Sequence, residues 1–144
     1  MHNYESLSHA QWECKYHVII TPKYRKKMLY GQIRKRAGII LRLLAKQKGI
    51  EILEGHAMSD HIHMALSIPP KYSVAMIIGF LKGKSALWLH REFGKIRGTY
   101  GKNFWSRGYF VSTIGLDEER IRKYIRDQDE KDKRSDGNQL DLGW

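Results

Sequence analysis

The sequence predicts an α+β fold: a ferredoxin-like antiparallel sheet with helices on one face, followed by a C-terminal helix that bears a tyrosine. Three observations predict it. Strand-like and helix-like periodicities alternate along the chain in the order β, α, β, β, α, β and then α. Two of the strand-like runs are separated only by Ser59 and Asp60, turn chemistry that makes them an antiparallel hairpin. The helices of the first two helical runs are apolar along one stripe, so they cover one surface of the sheet and leave the other to be covered by something else or used.

Each element has its own local reason. Trp12 to Thr21 is rich in β-branched and aromatic residues and stops at Pro22, which cannot donate to a sheet ladder. From Gln32 to Lys48, Ile33, Ala37, Ile40, Leu41 and Leu44 recur at helical spacing, and Gly49 supplies the residue that closes a helix. The hairpin strands are Ile50 to Met58 and His61 to Ile68, the second ended by Pro69 and Pro70. Ser73 caps a helix running to about Glu92, with Val74, Ile77, Ile78, Leu81 and Trp88 on one face. Gly94 to Asn103 is polar and reads as a loop, and Phe104 to Ile114 as one or two strands interrupted at Arg107 and Gly108. Leu116 to Glu119 opens the last helix, with acidic residues favourable at its dipole, and the helix extends to about Arg134. Its apolar stripe is only Ile121 and Ile125, with Tyr124 beside them. A stripe that thin predicts loose docking on its own subunit or packing against another. Residues 1–134 are thus expected to form one domain and 135–144 a tail.

Composition narrows the partners. The formal charge of +11 on 144 residues makes a polyanion the first to consider, because phosphates release condensed counterions when Lys and Arg approach. No run approaches the ~20 apolar residues of a membrane span, and the first ten residues lack the cationic and apolar regions of a signal peptide. Cys14 is the single cysteine, which excludes an intrachain disulfide and a multi-cysteine zinc site. A cytoplasmic protein with no membrane partner is expected.

In the run Asp60 to Ile68, alternation sends Ile62, Met64, Leu66 and Ile68 toward the core, and His61, His63, Ala65 and Ser67 toward the open face. Two residues apart in a strand is about 7 Å at Cα, so both imidazoles can converge on one metal ion. An isolated H-x-H is nevertheless more often a pair of surface histidines. On the final helix Tyr124 and Gln128 are one turn apart on the same face, where Gln128 can offer a carbonyl oxygen and Tyr124 its hydroxyl. His17 sits in a strand and could lie near the site, though a structural role is the expectation, and His56 and His90 are expected to be structural or exposed.

Taken together, these residues resemble the HUH single-tyrosine transposases of the small bacterial insertion sequences, the insertion-sequence-two-hundred type. The likeness runs through nearly the whole chain: Cys14 to Arg25, Ser59 to Met64, Ile68 to Lys71, Phe80 to Ser85, Phe104 to Tyr109 and Tyr124 to Gln128. The resemblance implies that His61 and His63 are the paired metal-binding histidines, Gln128 the third protein ligand and Tyr124 the nucleophile. It also implies single-stranded DNA with a hairpin near each element end as substrate, and a homodimer whose active sites pair the histidines of one subunit with the tyrosine helix of the other.

The parts suit that chemistry. Two imidazoles and an amide oxygen leave open positions on a divalent ion such as Mg²⁺ or Mn²⁺, which polarises the scissile phosphate. Attack by Tyr124 would give a 5′-phosphotyrosine and a free 3′-hydroxyl, storing the phosphodiester energy for rejoining without ATP. Lys23, Arg25, Lys82, Lys84 and Arg107 are the candidate DNA contacts, the lysines flanking Gly83 foremost because glycine permits close backbone approach. Tyr24, Tyr30 and Trp105 are candidate stacking surfaces for unpaired bases. Three rivals differ in class: a domesticated relative processing chromosomal repeat hairpins, a rolling-circle initiator or relaxase, which is generally larger, and a non-catalytic nucleic-acid-binding module, which would not need Tyr124 or Gln128.

Overall fold

The computed structural model describes residues 5–7, 10–94, 104–115 and 118–136, with side chains for 11–94, 104–115 and 118–128. Its elements are β1 (Glu5–Leu7), β2 (Ala10–Trp12), β3 (Lys15–Ile20), α1 (Gly31–Gln47), β4 (Glu51–Ala57), β5 (Ile62–Ser67), α2 (Val74–Phe93), β6 (Phe110–Ile114) and α3 (Glu118–Asp136). The expected loop at Gly94 to Asn103 falls almost wholly outside the described residues, as do Leu116 and Asp117 at the expected start of the last helix and the tail beyond Asp136.

β4, β5, β3 and β6 lie in that order in one antiparallel sheet, the ferredoxin-like arrangement expected from the element order. The first strand is shorter than its composition suggested. Trp12 belongs to β2, paired with Glu5 of β1 in a separate ribbon, and the main sheet is entered only at Lys15. Continuous aromatic and β-branched character hides such a break, because composition records propensity for pairing and not the partner.

α1 and α2 seal one face of the sheet. Val18, Ile20, Ile62, Met64 and Leu66 from the strands meet Ala37, Ile40, Leu41 and Leu44 of α1 and Ile77, Ile78, Leu81 and Leu89 of α2, all buried. The Ser73 hydroxyl accepts a hydrogen bond from the Met76 amide (3.0 Å) at the start of α2, as a capping residue should. Gly49 closes α1 with φ +69°, a conformation that costs glycine nothing.

The opposite face is not open. His63, Ala65 and Ser67 are all buried, because α3 folds back across the sheet. Ile125 and the half-buried Ile121 pack with Ala65, Ile114 and Leu53. Lys15 of β3 binds the Glu118 carboxylate (2.9 Å), and Arg122 and Arg126 both reach Glu54 of β4 (3.2 and 2.7 Å). Among the described residues no helix is long and apolar enough to cross a membrane.

Candidate active site between the sheet and helix α3

Sheet register builds the site. His63 sits within β5, and His61 immediately precedes that strand at the exit of the β4–β5 turn. β3 pairs with β5 so that His17 lies opposite Ala65, which puts its side chain on the same face as His63 and diagonal to it. The three imidazoles form a chain. His61 Nε2 faces His63 Nε2 at 2.8 Å, and His63 Nδ1 faces His17 Nε2 at 3.3 Å, with the His17 and His63 rings nearly parallel.

The chain is anchored at one end by a carboxylate. Asp60 Oδ1 lies 2.6 Å from His61 Nδ1, and its other oxygen accepts from Arg25 Nη2 at 3.3 Å. Burial opposes the Asp60 charge, but the hydrogen bond and charge of His61, together with Arg25, outweigh it and hold the carboxyl below its ordinary value. His63 is 4% exposed. Burial, and then the neighbouring His61, His17 and His56, push its pKa down to about 3. Burial likewise lowers His17. Both rings are therefore neutral near pH 7.

This protonation pattern tests whether a metal fits. Asp60 faces Nδ1 of His61 and His17 faces Nδ1 of His63, so the remaining ring nitrogens, both Nε2, face each other. With His17 and His63 each donating Nε2–H along the chain the rings pair among themselves, and with both facing Nε2 atoms unprotonated they can hold a cation between them. Adjacent ligand atoms of an octahedral ion, each about 2.1 Å from it, are about 3.0 Å apart, close to the separation observed. Partners on the second ring nitrogen are what metal-bound histidines ordinarily have. The donor set fits a divalent cation. Among the described residues no three His, Cys, Asp or Glu side chains converge as a ligand set.

α3 brings its tyrosine to the same place. The Tyr124 ring stands edge-on to His63 (5.9 Å between ring centres) and to His17 (6.4 Å). Here the helix and the histidines belong to the same chain. Tyr124 is nevertheless 46% exposed, so its outer edge is accessible to a large substrate. Gln128 follows one turn later on α3, partly exposed.

The candidate DNA contacts differ in availability. Arg25 is tied to Asp60 but largely exposed, and Lys23 is part of the same turn. Lys84 and Arg107 are exposed. Lys82 donates to the backbone carbonyls of Arg107 (2.9 Å) and Gly108 (3.1 Å), and burial lowers its pKa. It straps the segment before β6 to α2. A Cβ built on Gly83 meets no atom within 4 Å, so the fold itself places no demand for glycine there. Trp105 is no stacking surface: it is 4% exposed, edge-on to Phe104, with its indole N–H donated to Ser85 (2.8 Å).

Two members of the site escape a reading of the sequence. His17 is separated from His63 by 46 positions, and only the β3–β5 register unites them. Asp60 reads as a turn residue, although its adjacency to His61 was a usable signal.

Comparison with known proteins bears on family and fold. The family of IS200-like transposases matches residues 10–128. The transposase for insertion sequence element IS200 of Salmonella typhimurium is 46% identical over 141 residues, covering 97% of this chain and 91% of that protein. The ISDra2 transposase TnpA of Deinococcus radiodurans is 31% identical over 123 residues, 84% of this chain and 88% of that one. Among solved structures, a Deinococcus radiodurans protein assigned as a transposase superposes with a TM-score of 0.71 at 28% identity, over 86% of this chain and 97% of that chain. A REP-associated tyrosine transposase bound to a REP hairpin shares the fold, with a TM-score of 0.60 at 16% identity over 91% and 74% of the two chains.

Proposed function

The chain belongs to the IS200-like transposase family, and we propose that it cuts and rejoins single-stranded DNA through a covalent bond between Tyr124 and the 5′-phosphate at the cut. The observation that carries this reading is the Tyr124 ring standing edge-on over His63, whose Nε2 is paired with that of His61.

The Tyr124 hydroxyl attacks phosphorus as its proton is released to solvent at the exposed edge of the site. The bond from phosphorus to the 3′-oxygen breaks, and that oxygen leaves as a 3′-hydroxyl after taking up a proton. The phosphotyrosine retains the energy of the broken bond, so another strand's 3′-hydroxyl can displace the tyrosine and restore a phosphodiester. Mg²⁺ or Mn²⁺, held by His61 and His63 with Gln128 as a third donor, would supply Lewis-acid stabilisation of the charge that builds on the phosphate oxygens. Asp60 and His17 orient the two histidines through their Nδ1 atoms and keep both Nε2 lone pairs available. α3 sets the angle at which Tyr124 approaches.

The substrate is DNA that is unpaired at the cut and folded into a hairpin nearby. An accessible, bendable backbone is required for attack at phosphorus, and the basic surface supplies the counter-charge. The structural relative bound to a REP hairpin supports the second feature. A homodimer in which each site is completed by the other subunit's tyrosine helix belongs to the same reading. What supports it is the small apolar contact of α3, which costs little to exchange.

The test is a covalent trap. Single-stranded DNA from an element end, labelled at its 3′ terminus and incubated with Mg²⁺, should yield a labelled adduct that survives denaturing electrophoresis, whereas a 5′ label should appear on free DNA. Tyr124→Phe should lower adduct formation by on the order of 10³-fold or more while DNA affinity persists. An adduct of undiminished yield with Tyr124→Phe, or in excess EDTA, would remove the tyrosine or the metal from the mechanism.

A further inference from the structure

The turn that follows β3 holds a tyrosine in a conformation the fold does not reward. Tyr24 has φ 63° and ψ 19°, and Arg25 beside it has φ 51°. Two successive non-glycine residues in the left-handed region are avoided because Cβ crowds the following carbonyl. The usual return on such strain is burial, yet the Tyr24 ring is 76% exposed. The ammonium groups of Lys23 and Lys26 lie 5.6 and 6.0 Å from its ring centre.

The turn is also rigidly placed. The Lys23 amide donates to the Phe104 carbonyl (2.9 Å) and the Arg25 amide to the Pro22 carbonyl (2.8 Å), while Pro22 pairs with the buried Trp105. Arg25 reaches Asp60, the carboxylate that holds His61. A turn fixed by these bonds, and joined through Asp60 to His61, thus presents a largely exposed aromatic ring among cations. That is the composition of a stacking platform for unpaired bases.

We propose that Tyr24 is a base-stacking site, taking one unpaired nucleobase of the single strand close to the scissile phosphate while Lys23, Arg25 and Lys26 hold the flanking backbone. The assignment rests on the single-stranded substrate proposed above and names where on the protein that strand is held.

The test uses the full chain carrying Tyr124→Phe, so that binding is read by fluorescence anisotropy without cutting. Two DNAs are compared: an element-end hairpin with its single-stranded flank, and the same hairpin with the flank removed. Tyr24→Leu should weaken binding to the flanked DNA about tenfold or more, and Tyr24→Trp should stay within about threefold of the parent. The bare hairpin should bind all variants alike. An abasic site at one flank position should erase the difference in affinity between the parent and Tyr24→Leu, whereas abasic sites elsewhere should not.

Tyr24→Gly separates a ligand role from a structural one. Glycine relieves the left-handed strain, so this variant should melt at a higher temperature than its parent while binding flanked DNA as weakly as Tyr24→Leu. Equal affinity of Tyr24→Leu and parent for flanked DNA would overturn the proposal, as would an equal loss on both DNAs or an abasic scan with no sensitive position. Dissociation of a homodimer by Tyr24→Leu in sedimentation would also overturn it, assigning the ring to a subunit contact. Failure of the wild-type chain to form the covalent adduct would instead sink the tyrosine chemistry and leave these binding results standing.

Discussion

The two faces of the central sheet are covered by helices held in different ways. On one face α1 and α2 meet the strands through a continuous buried apolar cluster reaching from Val18 to Trp105. On the other, α3 contributes Ile125 and the half-buried Ile121 against Leu53, Ala65 and Ile114, and relies for the rest on Lys15 with Glu118 and on Glu54 with Arg122 and Arg126. Apolar burial scales with area and is insensitive to salt, whereas partly exposed ion pairs are individually weak and screened. One face therefore carries the larger core, and the other holds a lightly anchored helix over three histidines. On the proposed function, a site that admits a polynucleotide cannot be sealed by a second hydrophobic core.

Breaking that contrast should begin on the apolar side. Leu41→Ala, at a position with no exposure, should cost about 2–5 kcal/mol in urea denaturation while adduct yield per folded molecule stays unchanged. A loss of that size from Ile125→Ala as well would mean the two faces are equally essential to the fold, contrary to the comparison. On the histidine side, His17→Phe keeps a ring against His63 but removes the ring nitrogen facing its Nδ1. It should lower Mn²⁺ affinity about 10- to 100-fold, measured by titration calorimetry, with little change in melting temperature. His17→Gln, which retains an acceptor, should recover part of that affinity; equal loss from both variants would reduce His17 to packing.

The histidine face should also make stability pH-dependent. Folding depresses His63 from about 6.5 to about 3 because burial disfavours its charged form. The unfolded chain thus takes up a proton as pH falls through about 6.5, while the folded chain does so only near 3, and acidification across that interval favours unfolding. Between pH 7 and 5 the loss should be about 1–2 kcal/mol in chemical denaturation. His63→Gln should flatten the profile, and an unaltered slope would place the titrating group elsewhere. The smallest effect belongs to the ion pairs. Glu54→Gln should weaken α3 docking by about 0.5–1 kcal/mol, seen as faster amide exchange in α3 alone and reproduced in the parent by high salt. Slower or unchanged exchange would show that the small apolar cluster suffices.

Much of this was legible residue by residue. The stripe in α1, the Ser73 cap and the alternation through β5 are local patterns with periods that a linear reading detects. The pairing of His61 with His63, and the position of Tyr124 on a helix with few apolar residues, were legible for the same reason. Other readings failed where a partner was distant. Trp105 is buried and Lys82 is occupied, because Ser85 and the Arg107 carbonyl arrive from elsewhere in the chain.

The sequence by itself determined the order of the main elements and which sides of α1 and β5 are apolar, and it singled out His61, His63 and Tyr124 as candidates, since those follow from side-chain type and spacing along one segment. Only the tertiary structure decided that His17 joins the site, that Asp60 links His61 to Arg25, that α3 lies over its own sheet, and that Tyr24 stands strained in solvent. Each of these depends on cross-strand register or on the docking of one segment against another. The energies that fix such contacts are summed over residues far apart in the chain, and no local pattern records them.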